Sequence, residues 1–369
     1  MVSGRAVLYG LLVAGVASCG GGGTALQRPA PAPARVLVIG HFIGLNVIQA
    51  NGENAGQPVP TIDGVNPDVL QGLFGLTAAD DPGPNCSDVY GIDLPNMAAK
   101  DPAGRLWVLY KKNLDIMERH AVKPLGRRRP SKAQCFTDRQ SDWVVYPQTA
   151  TPGVDPPAYR GTGEALAMKA GPAGLVIEVN DPRAVGYFAL RTYAYGGDPR
   201  TPIHTFTVPP GSVFALGPDG TIYVPAAAGF NVYASDSNGC CPLKTIATHG
   251  GLQGREFVVG SDGEIYVVEV DDAYSLAYTS PFNFFVSVYA PDTGTLVRRF
   301  GPVLGHNGIR EGFGIDVDAR RNIYVSHAET LDDVFVFSME GKSSAPSHTF
   351  RNSALWNGAG NVMTLTALP

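Results

Sequence analysis

The sequence predicts an all-β chain folded as a six-bladed β-propeller, and three observations carry that prediction. First, a short hairpin unit recurs. Residues 214–224 (FALGPDGTIYV) are matched at 257–267 (FVVGSDGEIYV), 314–325 (GIDVDARRNIYV), 100–109 (KDPAGRLWVL) and 169–177 (KAGPAGLVI), with a weaker copy at 356–365 (WNGAGNVMTL). Second, a longer unit follows each copy, as at 230–246 (FNVYASDSNGCCPLKTI), 286–300 (VSVYAPDTGTLVRRF), 334–350 (VFVFSMEGKSSAPSHTF) and 188–206 (FALRTYAYGGDPRTPIHTF). Third, the spacing is that of a repeat array: Gly220 to Gly263 is 43 residues and Gly174 to Gly220 is 46. Two hairpins per repeat supply the four strands of one propeller blade.

Each element has a local cause. Asp219-Gly220 and Asp262-Gly263 tolerate positive φ, which a tight hairpin needs, and Pro218 presets φ on the way in. Arg321-Asn322 replaces Asp-Gly in the fifth copy, where Asn322 is expected to take the left-handed conformation. The flanks are β-branched and aromatic, as half-buried strands prefer. High Gly (45) and Pro (30) imply many turns, and no long stretch keeps a helical apolar period.

Taken in order, residues 1–18 read as an export signal, with Arg5 before an apolar run at 6–16 too short to span a bilayer. Residues 16–19 (VASC) end it. An ordinary signal peptide with an incidental Cys is one reading. The Gly run at 20–23 and the Pro/Ala segment at 25–34 favour the other, in which 19–35, beginning at Cys19, form a flexible tether.

The folded part, 36–369, begins with strands at 36–39 and 46–49, then a polar loop and Thr61-Ile62. The first full blade has only a poor, lengthened outer unit at 114–136. Gly104 to Gly174 is 70 residues, so an insertion is expected within 123–157; Gly263 to Arg321 is 58, with extra length at 271–283. The chain starts with an outer unit and ends with an inner one. The last blade is therefore expected to join both ends, with 46–62 beside 356–365, leaving no free edge.

The x-D-G-x-I-Y-V unit followed by N-V-x-V-Y…T-I resembles NHL-type six-bladed propellers and their gluconolactonase-like relatives, and residues 16–19 resemble the bacterial lipobox. The second resemblance implies cleavage before Cys19, lipid attachment to its thiol, and anchoring of an exported protein to the cell envelope. Gly20 after the Cys implies the outer membrane if the cell has one. The first implies a ligand mouth at one end of the central channel, formed by loops that lead into the innermost strands. Those loops carry Asp88, Arg160, Glu164, Arg255, Glu256, His306, Asn307, Arg310 and Glu311.

Two functions follow. One is a binding or scaffold module for a protein, peptide or glycan, in which Arg–Glu pairs knit neighbouring blades. The other is a metal-dependent hydrolase or lactonase, in which Asp88, Glu164, Glu256 and Glu311 ring the mouth and hold Ca²⁺ or another divalent ion. The superfamily's Glu, Asn and Asp metal ligands have no residue-by-residue match here, which weighs toward the first.

Other chemistry is excluded or left as framework. A net charge of −5 argues against nucleic acid, and Arg127, Arg128 and Arg129 form a short solvated loop. The seven His lack zinc spacing, and Gly-x-Ser-x-Gly is absent. Three Trp are too few for the tryptophan-rich repeats of quinone-dependent propellers. With Cys19 acylated, Cys86, Cys135, Cys240 and Cys241 remain. An exported protein permits Cys86–Cys135, while the adjacent Cys240 and Cys241 would form a strained bond or stay as thiols; cross-pairing among the four is the further alternative. Tyr274, Tyr278, Phe282, Phe284 and Phe285 read as an aromatic loop in the fourth blade, either a recognition groove or a lid on its own blade.

Overall fold

The structure is a computed structural model that describes residues 33–41, 44–57, 59, 62, 64–65, 93–112, 141–150, 155–180, 188–208, 213–239, 241–248, 253–271, 282–305, 313–327, 333–350 and 362–368. Every regular element among them is a strand, and the strands form six sheets arranged as a six-bladed β-propeller.

Blade one is β3 (Asp93–Lys100), β4 (Leu106–Lys112), β5 (Trp143–Pro147) and β6 (Tyr159–Gly161). Blade two is β7 (Glu164–Ala170), β8 (Gly174–Asn180), β9 (Phe188–Ala194) and β10 (His204–Val208). Blade three is β11 (Ala215–Leu216), β12 (Ile222–Ala226), β13 (Gly229–Tyr233) and β14 (Lys244–Ala247). Blade four is β15 (Gln253–Val259), β16 (Ile265–Val270), β17 (Phe282–Tyr289) and β18 (Leu296–Gly305). Blade five is β19 (Phe313–Val317), β20 (Asn322–His327), β21 (Asp333–Ser338) and β22 (His348–Phe350). All ladders are antiparallel. Six buried apolar clusters fill the spaces between successive blades, one per junction; Val38, Leu106 and Val144 meet in one, Ile323, Val325 and Phe284 in another.

The sixth blade closes the ring. β23 (Val362–Leu368) pairs with β1 (Val36–His41), which pairs with β2 (Gly44–Gln49), and the segment at 57–59 bonds onward along β2. This corrects the expected pairing. β1 stands between β2 and β23, and among the described residues the C-terminal part supplies one strand, Val362–Leu368, which runs through the second half of the hairpin expected at 356–365. The two chain ends take the place of the hairpin turn, with Val36 opposite Leu368.

The inner hairpins share one turn in blades one, three, four and five. The residue at its first position accepts from the amide three residues on, and its own amide donates to the carbonyl four residues on, as in Gly220 N to Gly217 O and Gly217 N to Thr221 O. Blades three and four start this turn with Gly217 and Gly260 and place Asp219 and Asp262 at the third position. A Cβ on Gly260 would sit 2.6 Å from Asp262 Oδ1, so the glycine makes room for the carboxylate. Blades one and five start with the acid itself. Asp101 and Asp318 cap their own turns and accept Trp107 Nε1 and Tyr324 OH at 3.0 Å from the next strand. In the fifth turn the left-handed residue is Arg321 (φ 61), where Asn322 was expected. Its guanidinium reaches back to Asp262 (2.9 Å), Glu264 and Tyr266 of blade four, which ties the conformation down.

Outer edges are covered in turn. The loop between third and fourth strands of each blade lies on the last strand of the blade before it: Arg160 N donates to Pro199 O, Lys244 Nζ to Pro291 O, and Gly301 N to Ser344 O. Gly239 lies against Phe206 and Gly56 against Phe350. This shields strand edges that would otherwise recruit other chains.

Two further expectations are revised. The third strand of blade one is Trp143–Pro147; 114–136 lies outside the described residues, and the extra length falls between Lys112 and Trp143. Phe282, Phe284 and Phe285 belong to β17, with Phe284 fully buried, because strand alternation turns it into the junction with blade five; Tyr274 and Tyr278 lie outside the described residues.

Candidate functional site

The innermost strands, β3, β7, β11, β15, β19 and β23, surround the central channel. At the end carrying the inner hairpin turns they enclose a cavity of about 420 Å³ to which all six contribute. Its wall is largely apolar, with Ala99, Met168, Val258, Ile315 and Leu365; of the four charged residues that line it, Asp101 is taken up by its own turn, which leaves Lys100, Lys169 and Asp316.

These charges are engaged with one another and with the backbone across blades. Lys100 Nζ of blade one donates to Ala367 O of blade six. Asp316 of blade five accepts Ala367 N at 2.7 Å and Val317 N at 2.8 Å. Burial pushes the Asp316 carboxyl up; the ammonium of Lys100, both amides and the ammonium of Lys169 oppose that shift. Lys169 Nζ of blade two lies 3.6 Å from Glu256 Oε1 of blade four. It reaches past blade three, whose first strand has only two residues. Burial likewise raises Glu256 against the pull of Lys169.

Glu178, on β8, completes the group. It is 4% exposed, and its Oε1 has no hydrogen-bond partner among the described residues. Burial, and secondarily the charge of Glu256, push its carboxyl up to about 7.

The residues expected at the ligand mouth fall into three groups. Asp88, His306, Asn307, Arg310 and Glu311 lie outside the described residues, as do Cys86, Cys135 and Cys240 and the Arg255 side chain; Cys241 is exposed. Arg160 lies on β6, the outermost strand of blade one, away from the inner ring, because 159–161 forms a strand where a loop was expected. Glu164 and Glu256 both lie on inner strands but at different levels. Glu256 sits seven residues before its hairpin glycine, Gly263, and so aligns with Ala167; Glu164 sits ten before Gly174. Their ladder partners agree: Glu256 faces Val268, Ala167 faces Glu178, and Glu164 faces Asn180. Glu164 is exposed, and its charge acts on the buried Lys111, whose ammonium is lowered by burial.

Lys100, Lys169, Glu178 and Asp316 were not singled out from sequence. The signal was nonetheless present: Lys100 and Lys169 open two of the quoted hairpin copies, four and five residues ahead of the turn glycines Gly104 and Gly174.

A divalent ion needs convergent oxygen donors. No group of three or more His, Cys, Asp or Glu side chains comes together among the described residues. The ammonium of Lys169 occupies the approach to Glu256 that an ion would need. The described channel residues therefore do not fit a divalent metal.

No protein-family model matches the sequence, and no curated relative matches it. Among solved structures, a protein of unknown function from Bacteroides caccae is similar at 11% identity, covering 90% of this chain and 98% of that one, with a TM-score of 0.48. A putative gluconolactonase is similar at 14% identity over 63% of this chain and 67% of its own, TM-score 0.34. Regucalcin, a calcium-binding protein from Agrobacterium tumefaciens, is similar at 15% identity over 76% of each chain, TM-score 0.35. At these values the assignment as a six-bladed propeller rests on the sheet topology itself.

Proposed function

We propose that the chain is exported, carries a lipid on Cys19, and presents its propeller as a binding module for a protein, peptide or glycan of the cell envelope. The observation that supports this most is the Lys169–Glu256 pair. It joins blades two and four across the channel, with Lys100 and Asp316 joining one, five and six beside it. The inner wall works as framework, and recognition is left to loops at the opposite mouth. There Asp88, Glu164, His306, Arg310 and Glu311 are the proposed contacts, with Arg255 beside them. The gluconolactonase-like alternative needs a divalent ion near Glu256.

Metal analysis and melting of the purified chain in EDTA and in millimolar Ca²⁺ separate the two. A site saturated a thousandfold would add about 4 kcal/mol, a shift of several degrees. The binding reading predicts no bound ion, no shift, and retention of the chain on isolated envelope material in EDTA. A calcium shift lost in Glu256→Gln would overturn it in favour of the hydrolase.

A further inference from the structure

The folded chain begins on a particular face. Ala34 N donates to Asp318 Oδ2 in the fifth inner turn, Asn51 donates to Ala34 O, and Arg35 N donates to Leu368 O. The polypeptide therefore enters the propeller on the face that carries the hairpin turns. Among the described residues, this face carries four of the five large exposed apolar side chains. Ile203 (48% exposed), Leu243 (66%), Leu296 (37%) and Val297 (49%) all stand where the outer loops of blades two, three and four meet their last strands. Register places them there. Ile203 N bonds Thr192 O and Leu243 N bonds Val232 O, and Leu296 faces Tyr289, which in turn faces Ile265 beside the fourth inner turn. Successive loops lie on one another's blades, so the four side chains follow one arc of the rim. Leu304, the other large exposed apolar side chain among the described residues, faces Asn283 at the far end of blade four.

From these positions we infer that the turn face lies against the bilayer that holds the anchor, with Ile203, Leu243, Leu296 and Val297 in its interfacial layer. The inference rests on the lipid-anchor reading of Cys19. Fifteen residues separate Cys19 from Ala34 inclusive of Cys19 itself. As a flexible linker they span about 20 Å root-mean-square and at most roughly 50 Å extended. The anchor thus keeps Ala34, on the turn face, within roughly 50 Å of lipid. The ends of the inner strands opposite the turns then face away from the bilayer. Acids on this face have local partners: Asp292 is met by Lys244 Nζ at 3.3 Å, and Asp198 and Asp219 accept from Thr201 Oγ1 at 2.7 Å and Thr221 Oγ1 at 2.6 Å. Apolar side chains with basic neighbours are what a lipid interface accepts.

The test uses the full mature chain, its acylation checked by mass, reconstituted in phosphatidylethanolamine–phosphatidylglycerol vesicles with brominated acyl chains. Leu243→Trp and Ile203→Trp are compared with Leu304→Trp, all at exposed sites, with melting to confirm that each folds. Bromine quenching of the added fluorescence is expected to be at least twofold greater at 243 and 203 than at 304. Equal, low quenching in an acylated preparation overturns the docking while leaving the anchor intact. A mature chain without an acyl group overturns the anchor itself, and the docking with it. A turn face that binds a protein instead would show as low quenching at 243 and 203 in protein-free vesicles.

Discussion

Glu178 holds a carboxyl where burial disfavours its charge. In the unfolded chain it titrates near 4.5; in the fold it is pushed up to about 7. The fold therefore binds the proton more tightly than the unfolded chain does. Its contribution to stability is full below 4.5, declines as pH rises toward 7, and stays lost above that, by at most about 3 kcal/mol. Glu178→Gln should then be more stable than wild type by about 2–3 kcal/mol at pH 8 and nearly equal at pH 4.5, read from denaturant melts. A variant with no advantage at pH 8 would contradict the assignment. The Lys169–Glu256 pair gives a second case. Lys169→Met strands a largely buried carboxyl and should cost about 2–4 kcal/mol, whereas adding Glu256→Gln should recover most of it. Equal losses in the single and double variants would remove the pair from the framework.

At the level of elements, two turn chemistries solve one problem. Blades one and five put an acid first in the turn, and blades three and four put glycine first with the acid third. The two should interconvert. Gly260→Asp alone forces a Cβ to within 2.6 Å of Asp262 Oδ1 and should cost about 1–2 kcal/mol. With Asp262→Ala added, the new carboxylate is placed to meet Tyr266 as Asp318 meets Tyr324, and most of that loss should return; a double variant no better than the single in thermal melts would refute the equivalence. Asp219-Gly220 and Asp262-Gly263 made the hairpins legible from sequence alone, because positive φ has few residue solutions. The levels of the side chains were less legible. β3, β7 and β15 each carry a bulge, at Pro95/Met97, Ala165/Ala167 and Gly254/Glu256. An extra residue there leaves no turn signature, yet it moves the outer part of the strand out of step. Glu164 and Glu256 looked equivalent because each stands in a stretch that leads into an inner strand, although they lie ten and seven residues before their turn glycines. Arg160 looked like a loop residue because β6 has only three residues and no alternation to read.

For the whole molecule, stability depends on closing the ring with strands from both ends. Apolar clusters at every junction make each blade dependent on two neighbours, and the clusters that hold Leu37, Val38, Leu365 and Leu368 exist only when β1 and β23 are paired. The proposed anchor belongs to the same scale: if Cys19 carries a lipid, Cys19→Ala should move the chain from the membrane fraction to the soluble fraction without changing its melting temperature. Hydrogen exchange on the full chain, and on a chain ending at Asn361, tests closure most directly. In the full chain the amides of Val36–His41 and Val362–Leu368 should be as slow as those of the inner hairpin strand Ile222–Ala226. In the shortened chain Val36–His41 should exchange at unfolded rates; if those amides stay protected without Val362–Leu368, the ring is not closed in this way.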